Sequence, residues 1–317
     1  MVKIKRFFLF FLLASLAISQ ALAENPEDFL VEDGTPAPLV PVYERAAQTE
    51  FSFPGVFLKE GSSPKQTETS YTSANLSLTI TSFRYEKTDV YVAEIYLRTL
   101  DCFRRDVGNG FKNGYLSVKS HAARDGSAVL AITGDSSAKF IAGYVVGNGE
   151  IWRETHNNKR DIGVIGWDGM LRCYTPAEME AAGLGETPPD CWQCFLFGPS
   201  LLDGEGKAKT TFTTTNVAAA NPRAALGCFE PGHYCLVLVD GRSTRSALEE
   251  GGRNGGLTLI QLSCLMEKLG CVSAYNLDGG KSAVMVYFGE FVNTPINRGR
   301  QIGDAIIIGE PLMQEEE

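Results

Sequence analysis

The stretch TLIQLSCLMEKLGCVSAYNLDGG, from Thr258 to Gly280, predicts a helix and then a strand that ends in an acidic turn. Thr258 suits a helix N-cap, and Gln261 three residues later completes a capping box. Leucines recur at helical spacing until Gly270, and glycine commonly ends helices. The apolar run after it predicts a strand that stops at Asp278. A helix followed directly by a strand indicates a domain that combines helices with a sheet.

Neighbouring segments add further strands. The run YCLVLVDGR, Tyr234 to Arg242, predicts a buried strand before this helix, and the strand–helix–strand order allows one parallel pair. Antiparallel hairpins are predicted where turn residues separate apolar runs, at Asn148-Gly149, Asp168-Gly169 and Gly289-Glu290. We therefore expect an α+β fold: a single domain with a mixed, largely antiparallel sheet, flanking helices and several hairpins.

The composition is that of a globular protein with an acidic balance. The chain has 317 residues, of which 44% are hydrophobic and 21% charged, which is enough for one large core. The net charge of −9 gives no general electrostatic basis for binding nucleic acid, so we expect no nucleic-acid partner. An anionic ligand would have to be held by local cations. The sequence does not indicate an oligomeric state.

The N-terminal segment is typical of a secretion signal. Lys3, Lys5 and Arg6 precede an apolar run, and Ala21-Leu22-Ala23 matches a cleavage site. The run is shorter than the roughly 18 apolar residues that span a bilayer, and a retained anchor is the alternative. We expect no membrane span after cleavage, and export to the medium, cell wall or periplasm. The predicted organisation is a signal peptide over 1–23, a partly ordered leader or stalk over 24–70, the domain over 71–311 and an acidic tail over 312–317.

The eight cysteines all follow the predicted cleavage site. An even number in an exported chain is typical of disulfides, although spacing does not establish their pairing. The hairpin GCFEPGHYC makes Cys228 and Cys235 a candidate cross-strand disulfide, because its turn would place them opposite each other. Cys191 and Cys194 form a CxxC pair without a second CxxC or a histidine cluster, which favours a structural or unpaired role over a redox or zinc site.

Three predicted strands end in a carboxylate beside glycine. These carboxylates are Asp135 after AVLAIT, Asp240 after YCLVLV and Asp278 after VSAYNL. Asp-Gly is a common turn dipeptide, so each position on its own is a turn candidate. The three together also indicate a ligand site at the ends of strands. They could hold a divalent cation, but their spacing matches no metal-binding loop, and we expect no cofactor.

Arginines at loop-to-strand junctions supply positive charge for an anion. Arg223 precedes a strand, Arg242 follows one directly, and Arg300 lies just before the last strand. Arginine binds phosphate through paired hydrogen bonds, but each of these residues could equally be a surface side chain or an ion-pair partner. The sequence has three histidines and no HExxH, GxSxG or P-loop motif, which argues against a histidine-dependent hydrolase or a nucleotide-binding enzyme.

From about Thr72 to Pro311 the chain resembles the phosphodiester glycosidase family. The resemblance rests on the order and spacing of a set of segments rather than on any one of them. They are VYVAEIYL, LAITGD, FGPSLL, NPRAALG, LVLVDGR, GGLTLIQLSCLMEKLGC, AYNLDGGKSAVM and VNTPINRGRQIGDAIIIG. The family includes N-acetylglucosamine-1-phosphodiester α-N-acetylglucosaminidase. The resemblance therefore implies an exported hydrolase of a sugar 1-phosphodiester, of the GlcNAc type, with a glycan or sugar-phosphate polymer as partner.

The resemblance also implies which positions form the site. Asp278 and Asp135 would be the catalytic carboxylate pair, one of them activating water or acting as nucleophile. The arginines would hold the phosphate, because a phosphate leaving group needs charge neutralisation more than protonation. The substrate-binding positions implied in this way are Arg223, Asp240, Arg242, Asn276, Gly279, Gly280, Ser282 and Arg300. Lys281 joins them as a substrate-binding candidate on its charge alone.

Departures from the family pattern support an alternative function. Thr133 stands where the family usually has asparagine, and Ser136 and Ser137 stand where it has aromatic residues. Lys281 replaces a glycine and adds a cation that could contact phosphate. The alternative is a catalytically weak or inactive module that binds a phosphate-containing glycopolymer of the exopolysaccharide or cell envelope. A third interpretation is an exported domain whose Asp-Gly pairs are only turns.

Overall fold

The computed structural model describes residues 42–108, 110–112, 114–156, 159–214, 216–241 and 255–312. The predicted signal peptide therefore lies outside the described residues, and so does Arg242. Residues from Val42 onward belong to one compact unit. No helix among the described residues is both long enough and apolar enough to cross a membrane.

The elements are numbered in chain order. The α-helices of the described residues are α1 (Val42–Gln48), α2 (Val118–Asp125), α3 (Pro176–Ala181) and α4 (Leu259–Lys268). The strands are β1 (Lys65–Gln66), β2 (Ser70–Thr72), β3 (Leu76–Tyr85), β4 (Thr88–Leu97), β5 (Phe103–Asp106), β6 (Ala128–Thr133), β7 (Val145–Gly147), β8 (Glu150–Arg153), β9 (Ile162–Ile165), β10 (Leu171–Tyr174), β11 (Gln193–Phe195), β12 (Arg223–Glu230), β13 (His233–Val239), β14 (Ser273–Asn276), β15 (Met285–Tyr287), β16 (Glu290–Phe291) and β17 (Ala305–Gly309).

The strands form three sheets. A seven-stranded sheet has the order β1-β2-β3-β4-β13-β12-β14, and two five-stranded sheets have the orders β10-β9-β11-β7-β8 and β16-β15-β6-β17-β5. The predicted α+β fold with largely antiparallel sheets is confirmed. The expected parallel pair is absent from the described strands, because β12 lies between β13 and β14 and pairs antiparallel with both.

The helix that the opening stretch predicts is α4. The Thr258 hydroxyl accepts a hydrogen bond from the main-chain N–H of Gln261, and the Gln261 side chain accepts one from the N–H of Thr258, so the predicted capping box is present. The apolar face of α4 packs on strand residues of the seven-stranded sheet, among them Val237 and Ala274. This packing sets where β14 begins, and therefore where Asp278 lies.

The largest hydrophobic core lies where the three sheets meet. It draws Leu226 and Tyr275 from the seven-stranded sheet, Phe195 from one five-stranded sheet and Ile306 from the other. Its buried polar groups are paired, as the tyrosine hydroxyl of Tyr275 shows by donating to the carbonyl of Asp161 at 2.8 Å. Because the three sheets share this core, the ends of strands from different sheets lie close together.

The hairpin predicted to carry a disulfide has a different register. Glu230 pairs with His233, but the ladder shifts between Cys228 and Glu230, so Cys228 lies opposite Tyr234 and Cys235 lies opposite Gly227. Cys228 then faces the largest core and Cys235 faces the core beneath α4. The predicted Cys228–Cys235 bond is therefore wrong, because a β-bulge sends the two side chains to opposite faces. All eight cysteines are free thiols in this structure.

We expect Gly227→Ala to destabilise the fold. A methyl group at this position would lie 2.6 Å from Cys271 Sγ and 2.7 Å from Cys235 Sγ, both in a closed core. Such overpacking costs about 1–3 kcal/mol in the free energy of unfolding, measurable by urea denaturation. Gly204→Ala is the matched control, because no atom lies within 4 Å of its added methyl group. Equal stability of the two variants would contradict this account.

Candidate active site

The loop after β14 meets the loop after β6. The main-chain N–H of Asp278 donates to the carbonyl of Gly134 at 3.1 Å, which joins the ends of these two strands. The glycines of the β14 loop permit this geometry: a Cβ on Gly279 would lie 2.5 Å from the Pro222 carbonyl oxygen. Gly280 has a φ of +63°, a conformation that favours glycine. The chain can therefore bring Asp278 against its neighbours.

Four donors surround one carboxylate oxygen of Asp278. Its Oδ2 accepts from Ser136 Oγ at 2.5 Å, Ser282 Oγ at 2.7 Å, Lys139 Nζ at 3.2 Å and Arg300 Nη2 at 3.1 Å. Burial acts to raise the pKa of Asp278, but Lys139, the two hydroxyls and Arg300 outweigh it, and the pKa is lowered from its ordinary value. Asp278 is therefore a carboxylate that stays ionised at neutral and mildly acidic pH.

Asp278 lies at a cleft of about 600 Å³. The residues that line it are Phe197, Asn216, Val217, Asn221, Arg223, Asp278, Gly279, Gly280, Lys281 and Arg300. Among these described residues Asp278 alone carries a carboxylate, and it shares the cleft with three cationic side chains. The arrangement can accept an anionic ligand beside a single ionised acid.

Asp135 lies near the cleft but does not line it. Its side chain is fully buried, and its oxygens accept the main-chain N–H groups of Leu196 at 2.7 Å and Phe197 at 2.6 Å. Burial raises the pKa of Asp135 to about 6, opposed by Arg105 and by the two N–H groups. Because Asp135 is fully buried, bonded to this segment and not among the residues that line the cleft, the geometry favours it as a residue that positions the segment carrying Phe197.

A buried carboxylate beneath this loop was missed by sequence reasoning. Asp304 accepts the main-chain N–H groups of Asp135 at 2.9 Å and Ser136 at 2.8 Å, and forms an ion pair with Arg105 at 2.8 Å. Ser136 adopts a φ of +49° in this arrangement and directs its hydroxyl at Asp278. The sequence showed Ser136 only as a lost aromatic position.

The other predicted positions divide between the cleft and its supports. Arg223 lines the cleft, but its guanidinium donates to the main-chain carbonyls of Leu257, Val217 and Ala219 and so holds the cleft wall. Asp240 lies away from the cleft-lining residues and accepts from Asn293 at 2.8 Å.

Asn276 and Ser282 are buried beside the loop. The Asn276 amide donates to the carbonyl of Gly198 at 2.7 Å, while its Oδ1 is buried without a hydrogen-bond partner among the described residues. Ser282 accepts from Arg300 Nε at 2.6 Å and donates to Asp278, so it links the two. The described residues contain no group of three or more His, Cys, Asp or Glu side chains that could hold a metal ion.

Lys139 is the cation at Asp278 that sequence reasoning did not find. It follows Asp135 by four residues and lies in a short 3-10 turn, Ser137–Lys139. Lysines at loop positions are common, and nothing in the local pattern marks this one. Nothing in the local pattern marks the cleft residues Phe197, Asn216 and Asn221 either, and the sequence did not predict them as site residues.

Comparison with known proteins shows the class to which this fold and site belong. The family model described as phosphodiester glycosidase matches residues 120–309, and the chain belongs to that family. The chain is also similar in structure to the zebrafish N-acetylglucosamine-1-phosphodiester α-N-acetylglucosaminidase catalytic domain, auto-inhibited by its pro-peptide. That match has a TM-score of 0.52 and 19% identity and covers 74% of this chain and 83% of the other, which supports the fold.

The sequence of one curated relative matches only part of this chain. The SPbeta prophage-derived uncharacterized protein YomE of Bacillus subtilis (strain 168) is 30% identical over 148 residues. The match spans 45% of this chain and 21% of the relative. Because the match covers so little of the relative, it supports no conclusion about activity.

We expect Asp135→Asn to destabilise the fold. An amide can accept only one of the two main-chain N–H bonds that Asp135 receives, so Leu196 or Phe197 would keep an unpaired buried donor. The cost is about 1–3 kcal/mol in the free energy of unfolding, measurable in urea at pH 7. Asp190→Asn is the control, because its side chain is 77% exposed and a change there stays within about 0.5 kcal/mol. An Asp135→Asn chain as stable as the parent would remove the positioning role.

Proposed function

We propose that this member of the phosphodiester glycosidase family hydrolyses a sugar 1-phosphodiester, of the GlcNAc-1-phosphodiester type, in a glycan or cell-surface polymer. The observation that carries the proposal is the single ionised carboxylate, Asp278, which shares a cleft with Lys281 and Arg300. A phosphodiester needs such cations, and a glycosyl transfer needs such a carboxylate. The name of the zebrafish relative, although its identity is low, agrees with this substrate class.

The chemistry requires one carboxylate and several cations. Cleavage of a glycosyl–phosphate bond develops positive charge at the anomeric carbon and negative charge on the leaving phosphate. Asp278 activates the attacking water or attacks the anomeric carbon itself. Arg300 and Lys281 neutralise the leaving phosphate, which is acidic enough to depart without a strong general acid. Asp135 then has a positioning role, since it is fully buried, does not line the cleft and accepts the main-chain N–H groups of Leu196 and Phe197.

We further propose that the protein works outside the cytoplasm, in the medium, the cell wall or the periplasm. The support is the N-terminal pattern of three cations, an apolar run and Ala21-Leu22-Ala23. Fractionation of cells that express the whole chain, with N-terminal sequencing of the product, tests this. An uncleaved protein confined to the cytoplasm would contradict it.

We expect Asp278→Asn to lower turnover at least about 10²-fold, because the amide can neither take a proton nor attack carbon. The measurement is release of GlcNAc from a GlcNAc-1-phosphodiester by the purified mature chain. Asp190→Asn, an exposed aspartate outside the cleft, is the control. Near-parental turnover by a folded Asp278→Asn chain would remove Asp278 from the chemistry.

The pH dependence of kcat/KM distinguishes the two aspartates. This parameter reports pKa values of the free enzyme. The pKa of Asp278 is lowered from the ordinary 3.8, so its ionised form is lost only below that pH. If Asp135 were the essential base, activity would instead fall as the pH drops through about 6. We expect the acid limb of kcat/KM to lie below pH 4, measured over the range in which circular dichroism shows the chain folded.

The second candidate is a module that binds a glycopolymer phosphate without turnover. The observation that favours it is Thr133, whose hydroxyl is buried without a hydrogen-bond partner among the described residues, at a position where the family has an amide. Under this alternative the chain binds sugar-phosphate polymer saturably and releases no sugar. A gain of activity in Thr133→Asn would support a weakened enzyme, whereas binding with no turnover in either form would support the module.

A further inference from the structure

Asp278 Oδ2 is surrounded by more donors than it can serve while reacting. Two serine hydroxyls, one ammonium and one guanidinium lie within 3.2 Å of it. A carboxylate oxygen has about two lone-pair sites, so four donors crowd Oδ2, whereas Oδ1 accepts one close bond, from the N–H of Gly279 at 3.0 Å. Each donor that leaves makes the carboxylate of Asp278 a stronger base and nucleophile, because hydrogen bonds to the charged form stabilise it.

The four donors differ in how readily they can leave. Ser136 and Ser282 are buried, so their hydroxyls cannot swing into solvent. The side chain of Lys139 is 37% exposed and that of Arg300 is 46% exposed. Each cation also bonds a serine: Arg300 Nε donates to Ser282 Oγ at 2.6 Å, and Lys139 Nζ donates to Ser136 Oγ at the longer distance of 3.2 Å. Lys139 ends in a point charge on a flexible stem, and it is the donor that moves with least cost.

We propose that Lys139 determines substrate specificity by exchanging its counter-ion: it covers Asp278 in the empty cleft and transfers to the phosphate group of an arriving substrate. The inference rests on the proposed function, because it needs an anionic substrate. A phosphate competes with a carboxylate for an ammonium group, which a neutral glycoside cannot do. A neutral glycoside therefore leaves Lys139 on Asp278, meets a less basic carboxylate and reacts more slowly.

The exchange can be tested without any turnover. Aspartate labelled with ¹³C at the side-chain carboxyl reports each pKa by NMR, and Asp278→Asn identifies the signal of Asp278. Inorganic phosphate is the probe. We expect saturating phosphate to raise the pKa of Asp278 in the parent. Lys139→Met is expected to raise it without phosphate and to reduce the further shift. An Asp278 pKa that phosphate leaves unchanged overturns the exchange, whether or not Lys139→Met folds.

Turnover provides the second test. The measured quantity is a ratio: kcat/KM on a GlcNAc-1-phosphodiester divided by kcat/KM on a neutral aryl glycoside of the same sugar. Lys139→Met should lower this ratio by about tenfold or more, since a charge-assisted bond is at stake. Lys65→Met, an exposed lysine on β1, is the control and should keep the parental ratio. Turnover of the phosphodiester with an unchanged ratio overturns the inference alone. If neither substrate is cleaved, the proposed function fails, and the NMR titration still decides the exchange.

A separate observation concerns two thiols. Cys235 Sγ on β13 lies 3.5 Å from Cys271 Sγ, which follows α4, and both residues are buried. Gly227 lies between them, and its missing side chain leaves the space they share. A disulfide needs the sulfurs at about 2.05 Å, so a small approach would suffice. Neither cysteine was paired with the other by sequence reasoning.

We infer that Cys235 and Cys271 form a disulfide when the chain folds in an oxidising compartment. The two thiols lose two protons and two electrons and form one S–S bond. A small disulfide such as oxidised glutathione takes the electrons and becomes two thiols. The reaction belongs to folding rather than to the finished structure, because the hydrogen bond with Cys271 and then burial raise the pKa of Cys235 well above its ordinary value and suppress the thiolate.

The test is to refold the denatured, reduced chain in a glutathione redox buffer, alkylate the remaining thiols under denaturing conditions and map them by mass spectrometry. We expect protection of Cys235 and Cys271 together, and alkylation of Cys271 in Cys235→Ser. The comparison is the already folded, reduced chain kept in the same buffer. Both of its cysteines, Cys235 and Cys271, should remain open to alkylation once the chain is denatured. Alkylation of both residues after refolding, or protection of a different pair, overturns the inference.

Discussion

The ion pair between Arg105 and Asp304 supports the rest of the site. Both side chains are almost wholly buried, and the charged atoms lie 2.8 Å apart. Asp304 uses its remaining capacity on the main-chain N–H groups of Asp135 and Ser136, and Arg105 also donates to the carbonyls of Val146 and Cys194. Removal of one member of a buried pair typically costs roughly 3–5 kcal/mol. The pair thus ties two sheets to the loop that presents Ser136.

Asp278 depends on that support through short contacts. Ser136 reaches Asp278 because its main chain is held by Asp304, and Asp278 reaches Ser136 because Gly279 permits close approach to Pro222. Positive charge then arrives from exposed side chains on other segments. Ser136 and Ser282 are buried, whereas Lys139 and Arg300 are partly exposed, a division that suits the counter-ion exchange proposed for Lys139.

Local sequence signals predicted the elements well. The capping box of α4 and the turns at Asn148-Gly149 and Asp168-Gly169 depend on residues within a few positions of each other, so the sequence alone predicts them. The predicted Cys228–Cys235 disulfide was wrong because the strand ladder shifts by one residue between Cys228 and Glu230, which the sequence does not reveal. The expected parallel pair failed because β12 entered between β13 and β14.

By itself the sequence determined helix α4, the hairpins at Asn148-Gly149 and Asp168-Gly169, the α+β class and the strand-end position of Asp278, because short-range periodicity and turn chemistry encode these. Tertiary structure decided which aspartate is available. Asp135 and Asp278 both follow strands and both lie near glycine, yet Asp135 is fully buried and bonded to main-chain N–H groups, whereas Asp278 lines a cleft. That difference, and the presence of Lys139 at Asp278, arises from contacts between residues 61 to 139 positions apart in the chain, which no local pattern specifies.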